Sequence, residues 1–61
     1  MKMIKLSVEK FIEMKIEKQI KYMNTLEIKL GKTVTSKERY MDISGYEQLY
    51  YINYLEELCV K

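Results

Sequence analysis

The chain has 61 residues, charges of both signs summing to +2, and a single cysteine. A chain this short buries only about 60 % of the surface its unfolded form exposes. It therefore reads as one domain, 1–61, stabilised by regular helix packing or by self-association. Cys59 alone excludes an intrachain disulfide, and with no histidine the chain lacks the ligands of a structural zinc site; no cofactor is expected.

No apolar run approaches the roughly 18 residues of a membrane span. Met1–Leu6 lacks the apolar core and small-residue cleavage site of a signal peptide. The expected setting is the cytoplasm, with a reduced thiol. The chain has no alanine, proline, tryptophan or histidine and much lysine, isoleucine and tyrosine. These residues favour AT-rich codons, which suggests a bacterial, phage or plasmid source.

In chain order, residues 1–6 form a short lead-in of undecided structure. Ser7 is the expected N-cap, its hydroxyl accepting from a free backbone N–H of the first turn. A helix is expected over 8–30. Ile12, Ile16, Gln19, Met23, Leu26 and Leu30 fall at alternating spacings of four and three, a heptad seam. Val8, Phe11 and Ile20 widen that stripe. Glu9, Glu13 and Glu17 early and Lys29 late suit the helix dipole. Gly31 can take the left-handed conformation that ends a helix.

Residues 31–35 form the turn. Thr35-Ser36-Lys37-Glu38 has the form of a capping box, with Thr35 as the cap. A second helix is expected over 36–58, carrying Gly45 in its interior at a cost of about 1 kcal/mol. Its seam reads Met41, Gly45 with Ser44, Gln48, Ile52, Leu55 and Cys59. The expected fold is all-α, an antiparallel two-helix hairpin, with two copies assembling as a homodimeric four-helix bundle. Folding about the turn sets Leu26 opposite Met41, Met23 opposite Ser44 and Gly45, and Gln19 opposite Gln48. Ile16 falls near Ile52, Ile12 near Leu55 and Val8 near Cys59.

The second helix carries more apolar surface than one neighbour covers. Ile43, Tyr46, Tyr50 and Tyr54 gather away from its seam and are the expected partner-binding residues. Tyrosine suits interfaces because it joins a large apolar body to a polar tip. The expected function is a small non-enzymatic regulator or inhibitor that binds another protein, homodimeric and with a heterologous protein partner. No catalytic, metal or small-molecule site is expected. Cys59 reads as a small buried hydrophobe, and Glu9, Glu13, Glu56 and Glu57 as a solvated charged end.

Two further readings stand beside this one. Lys29, Lys32, Lys37 and Arg39 gather near the turn, where cations can contact phosphates; Glu27, Glu38 and Asp42 lie among them. Separately, Ser44-Gly45-Tyr46-Glu47-Gln48-Leu49 resembles the Ser-Gln-x-x-Asp motif on the second helix of the short sporulation phosphatases, two-helix hairpins acting on an aspartyl-phosphate response regulator. The resemblance spans at most Ile16 to Tyr54 and implies Glu47 as the acid. Here Gly45 replaces the glutamine, Glu47 comes one position early, and Gln48 stands where the aspartate belongs.

Overall fold

The computed structural model describes residues 6–60, so positions 1–5 of the expected lead-in lie outside the described residues. Among the described residues the chain is all-helical, as expected. Its helices are α1 (Val8–Glu13), α2 (Ile16–Lys29), α3 (Lys37–Asp42) and α4 (Gly45–Val60). The two long unbroken helices are corrected. The first is broken at Met14–Lys15 and the second at Ile43–Ser44. Met14, Lys15 and Ile43 all have extended backbone.

Neither proline nor glycine explains the first break. A glutamine side chain does. The last carbonyls of any helix have no intrahelical donor. The Gln19 Nε2 group donates to the carbonyls of Phe11 at 3.1 Å and Met14 at 2.9 Å. Gln48 treats the second break in the same way, donating to Tyr40 O at 2.8 Å and Ile43 O at 3.3 Å. The two amides expected to face one another thus each clasp a break in their own half of the chain. Gln19 Oε1 also accepts from the Tyr40 hydroxyl at 2.7 Å.

The two breaks are alike because the chain is a tandem repeat. An offset of 29 residues carries Ser7, Glu9, Gln19, Tyr22, Asn24, Leu26 and Glu27 onto Ser36, Glu38, Gln48, Tyr51, Asn53, Leu55 and Glu56. The same offset carries α1–α2 onto α3–α4. It also maps the core onto itself. The buried apolar residues are Phe11, Met23 and Leu26 from one half, and Tyr40, Ile52 and Leu55 from the other. Around them pack Leu6, Ile20, Tyr22 and Leu30, with Leu49, Tyr51 and Cys59. Each half alone has one apolar stripe to bury; the two stripes bury each other about a quasi-two-fold relation.

The main contact is α2 against α4. Tyr22 bonds Glu56 and Tyr51 bonds Glu27, so the two helices run antiparallel. The register differs from the expected one, because each half is broken into a short and a long helix and only the long helices pair along their length.

Local signals account for the ends. The Ser7 hydroxyl accepts from Lys10 N, and the Ser36 hydroxyl from Arg39 N, both at 3.2 Å. Ser36, not the expected Thr35, therefore caps α3; Thr35 is held by Glu27 instead. Gly31 has φ 72°, as its place after α2 requires. Lys32 N donates to Glu27 O and Gly31 N to Ile28 O, closing the helix in a Schellman arrangement. Gly45 is the first residue of α4, not an interior one, so the expected helix-interior penalty does not arise. Ser44 and Glu47 form a reciprocal capping box before it: Glu47 N donates to Ser44 Oγ at 3.2 Å and Ser44 N to Glu47 Oε1 at 3.3 Å.

Candidate protein-docking grooves

Two carboxylates lie in the interior. Glu27 and Glu56 are fully buried, and an ionised carboxylate survives there only when its oxygens are hydrogen-bonded. Glu27, near the end of α2, accepts from Thr35 N at 2.9 Å, Thr35 Oγ1 at 2.5 Å, Tyr51 Oη at 2.6 Å and Asn24 Nδ2 at 2.9 Å. Glu56, near the end of α4, accepts from Leu6 N at 3.0 Å, from Asn53 Nδ2 at 2.8 Å and from the Tyr22 hydroxyl. Each glutamate thus ties the start of one repeat to a tyrosine of the opposite long helix. Burial pushes the Glu27 carboxyl up, but bonds from Thr35, Tyr51 and Asn24 outweigh it and hold the group below its ordinary value. Burial and the Glu56 bond push the Tyr22 hydroxyl up.

These two groups are structural. They are closed to solvent, and every donor around them belongs to the frame. Glu56 is therefore corrected from a solvated end to an interior clamp. Glu27 likewise leaves the charged surroundings of the turn. No cluster among the described residues has the make-up of a metal site, and no helix among them is long and apolar enough to cross a membrane. Cys59 is half-buried beside the core, at the position Leu30 holds in the other repeat.

Because the interiors match, differences between the halves collect on the surface. The groove between α1 and α4 has a volume of about 450 Å³ and is lined by Val8, Phe11, Ile12, Tyr46, Leu49 and Tyr50, among others. Tyr46 is 83 % and Tyr50 70 % exposed, and Val8 and Ile12 are also exposed. The groove related to it by the repeat is lined by Glu17, Ile20, Lys21, Asn24 and Lys37, among others. The offset of 29 sets Glu17 at the place of Tyr46, Lys21 at that of Tyr50, and Lys37 at that of Val8. One backbone thus builds two like grooves: one is aromatic, with Tyr46 and Tyr50, and the other sets Glu17, Lys21 and Lys37 beside Ile20 and the exposed Ile28.

Of the residues expected to bind a partner, Tyr46 and Tyr50 come together in this groove. Tyr54 lies one turn further along α4, and its ring stacks on Tyr51 at 6.3 Å between centroids. Ile43 sits at the end of α3, partly exposed, and its carbonyl is held by Gln48. Val8, Ile12 and Leu49 complete the groove; spacing alone assigns the first two to the core stripe and Leu49 to no site. A signal for them exists: in a chain with a helix break at Met14, Val8 and Ile12 leave the stripe that α2 buries. Glu47, the acid implied by the phosphatase resemblance, is exposed and engaged with Ser44 as a helix cap. Lys29, Lys32, Lys37 and Arg39 are exposed.

No family model, no curated protein and no solved structure matches this chain.

Proposed function

We propose that this protein is a small non-enzymatic regulator or inhibitor that works by protein binding, and that its docking face is the apolar groove between α1 and α4. One observation carries the reading. Two tyrosine rings, a valine and an isoleucine are exposed together around one groove, while the groove related by the repeat holds Glu17, Lys21 and Lys37 in the places of Tyr46, Tyr50 and Val8. The core does not need these side chains outside, since the other half folds with Glu17, Lys21 and Lys37 in the corresponding places. An exposed cluster of large apolar groups is a feature of interaction surfaces. Tyrosines lose little conformational freedom when bound, which makes them effective anchors.

In isolation the occupant of the groove is a second copy of the chain, giving a homodimer. A domain with six fully or nearly buried apolar side chains among the described residues has a thin stability margin, and pairing adds buried area. The test is the solution mass over a range of concentrations, by sedimentation. The wild type should give about 15 kDa, twice the 7.4 kDa chain. The double variant Tyr46→Ser with Tyr50→Ser should give the monomer with unchanged helix content. A double variant that associates like the wild type contradicts the assignment of this face.

A further inference from the structure

A second groove lies away from the docking face just described. It runs between α1, α2 and the end of α4, with a volume of about 710 Å³. Leu6, Met14 and Tyr22 give it an apolar interior, and Lys10, Lys18 and Lys21 stand along it with exposed side chains. Glu56 lies at its floor, but is closed to solvent and hydrogen-bonded to Leu6, Tyr22 and Asn53. The accessible charge is therefore positive.

The two halves of the repeat differ at this groove. The position of Thr25 corresponds to Tyr54 in the second half, where the tyrosine ring stacks over Tyr51. Tyr22, the counterpart of Tyr51, has the small Thr25 in the place of that ring. Lys18 and Lys21 likewise stand where the second half has Glu47 and Tyr50. The first half has thus exchanged a ring, an acid and a second ring for a small residue and two cations.

We infer that this groove binds an acidic amphipathic segment of a partner protein. Apolar side chains of the segment enter between Leu6, Met14 and Tyr22, and its carboxylates meet Lys10, Lys18 and Lys21. The charge complementarity names the occupant. A nucleic-acid backbone would satisfy the lysines but leave the apolar interior unfilled, whereas a segment alternating Leu with Glu satisfies both. The lysine stems add apolar surface to the walls while their ammonium groups stay in water.

The test uses the full chain and two labelled synthetic helical peptides, one carrying leucines on one face and glutamates on the other, and one with lysines replacing the glutamates. Fluorescence anisotropy should show saturable binding of the acidic peptide, weakening with salt, and none of the basic peptide. Thr25→Tyr sets a ring over Tyr22 as Tyr54 is set over Tyr51 and should abolish binding. Lys18→Glu with Lys21→Glu should weaken it roughly tenfold or more, as the loss of two exposed charge contacts predicts. All three positions are exposed, and circular dichroism confirms that the variants fold. Tyr46→Ser with Tyr50→Ser should leave binding unchanged, which separates this site from the α1/α4 face. No saturable binding of the acidic peptide, binding insensitive to Thr25→Tyr, or tighter binding of a DNA duplex than of the peptide would each overturn the proposal.

Discussion

The Tyr51 hydroxyl donates to the buried carboxylate of Glu27 at 2.6 Å across the contact between α2 and α4. The repeat supplies its mirror, from Tyr22 to Glu56. Two helices that meet through apolar side chains alone could slide past one another by a turn. Two reciprocal bonds to buried carboxylates oppose that, because a displaced helix would take each glutamate's tyrosine donor away from it. Tyr51→Phe keeps the ring and removes one donor from a buried ionised acceptor. It should destabilise the chain by about 1.5–3 kcal/mol in urea unfolding. Tyr22→Phe should cost a similar amount, and a cost near zero for both would show that the carboxylates do not hold the register.

The pH dependence follows from the same clamp. The Glu27 carboxyl is held below its ordinary value in the folded chain, so folding favours the ionised form. Its contribution is complete above the unfolded carboxylate's pKa. It is lost as pH falls through the lower, folded value. Acid titration of the wild type should therefore show stability declining below about pH 4.5, and Glu27→Gln should flatten that decline while lowering stability at neutral pH. At the alkaline end, burial pushes the Tyr40 hydroxyl up to about 12. Folding there favours the protonated form, so stability should fall as pH rises from the unfolded tyrosine value of 10.0 towards the folded one.

The glutamine clasps give a third prediction. Gln19→Leu removes both donors to the end of α1 and leaves the Tyr40 hydroxyl without its acceptor. A loss of about 2–4 kcal/mol is expected, summing two or three buried hydrogen bonds. Gln48→Leu should cost somewhat less, since Phe11 occupies the place of Tyr40 and has no hydroxyl to orphan. Thermal unfolding of the two variants side by side tests the order.

The glycines separate cleanly. Gly31 sits at φ 72°, where any side chain is strained, so Gly31→Ala should destabilise by about 1–2 kcal/mol. Gly45 has an ordinary backbone and open space where the methyl group of an alanine would sit. Gly45→Ala should be neutral or stabilise by about 0.4–1 kcal/mol, by restricting the unfolded chain. Urea unfolding of the two variants checks the contrast, and equal effects at the two positions would contradict the ends assigned to α2 and α4.

Much of the fold is legible in the residues. Helical periodicity gives the class, Ser7 and Gly31 mark real ends, and Met23, Leu26, Ile52 and Leu55 fall on the interior stripes by spacing alone. The breaks are hidden because they carry no local breaker; a glutamine several residues downstream supplies the missing donors, and a heptad count absorbs it as a polar seam position. The buried glutamates are hidden for a related reason. A lone Glu near a helix end looks solvated until the tyrosine from the other helix is known to reach it. Both features have one signal in common, the recurrence of Gln, Tyr, Asn, Leu and Glu at the same spacing in each half. Tyr46 and Tyr50 are visible as surplus apolar surface, whereas their neighbours Val8 and Ile12 depend on the break at Met14.

The claim that the groove between α1 and α4 is a docking face is tested most directly by amide NMR spectra recorded over a range of protein concentrations. A self-docking face there predicts shifts or broadening that grow with concentration at Val8, Ile12, Tyr46, Leu49 and Tyr50, with Glu17, Lys21 and Lys37 in the equivalent charged groove unaffected. Spectra that do not change, or that change equally at both grooves, would contradict it.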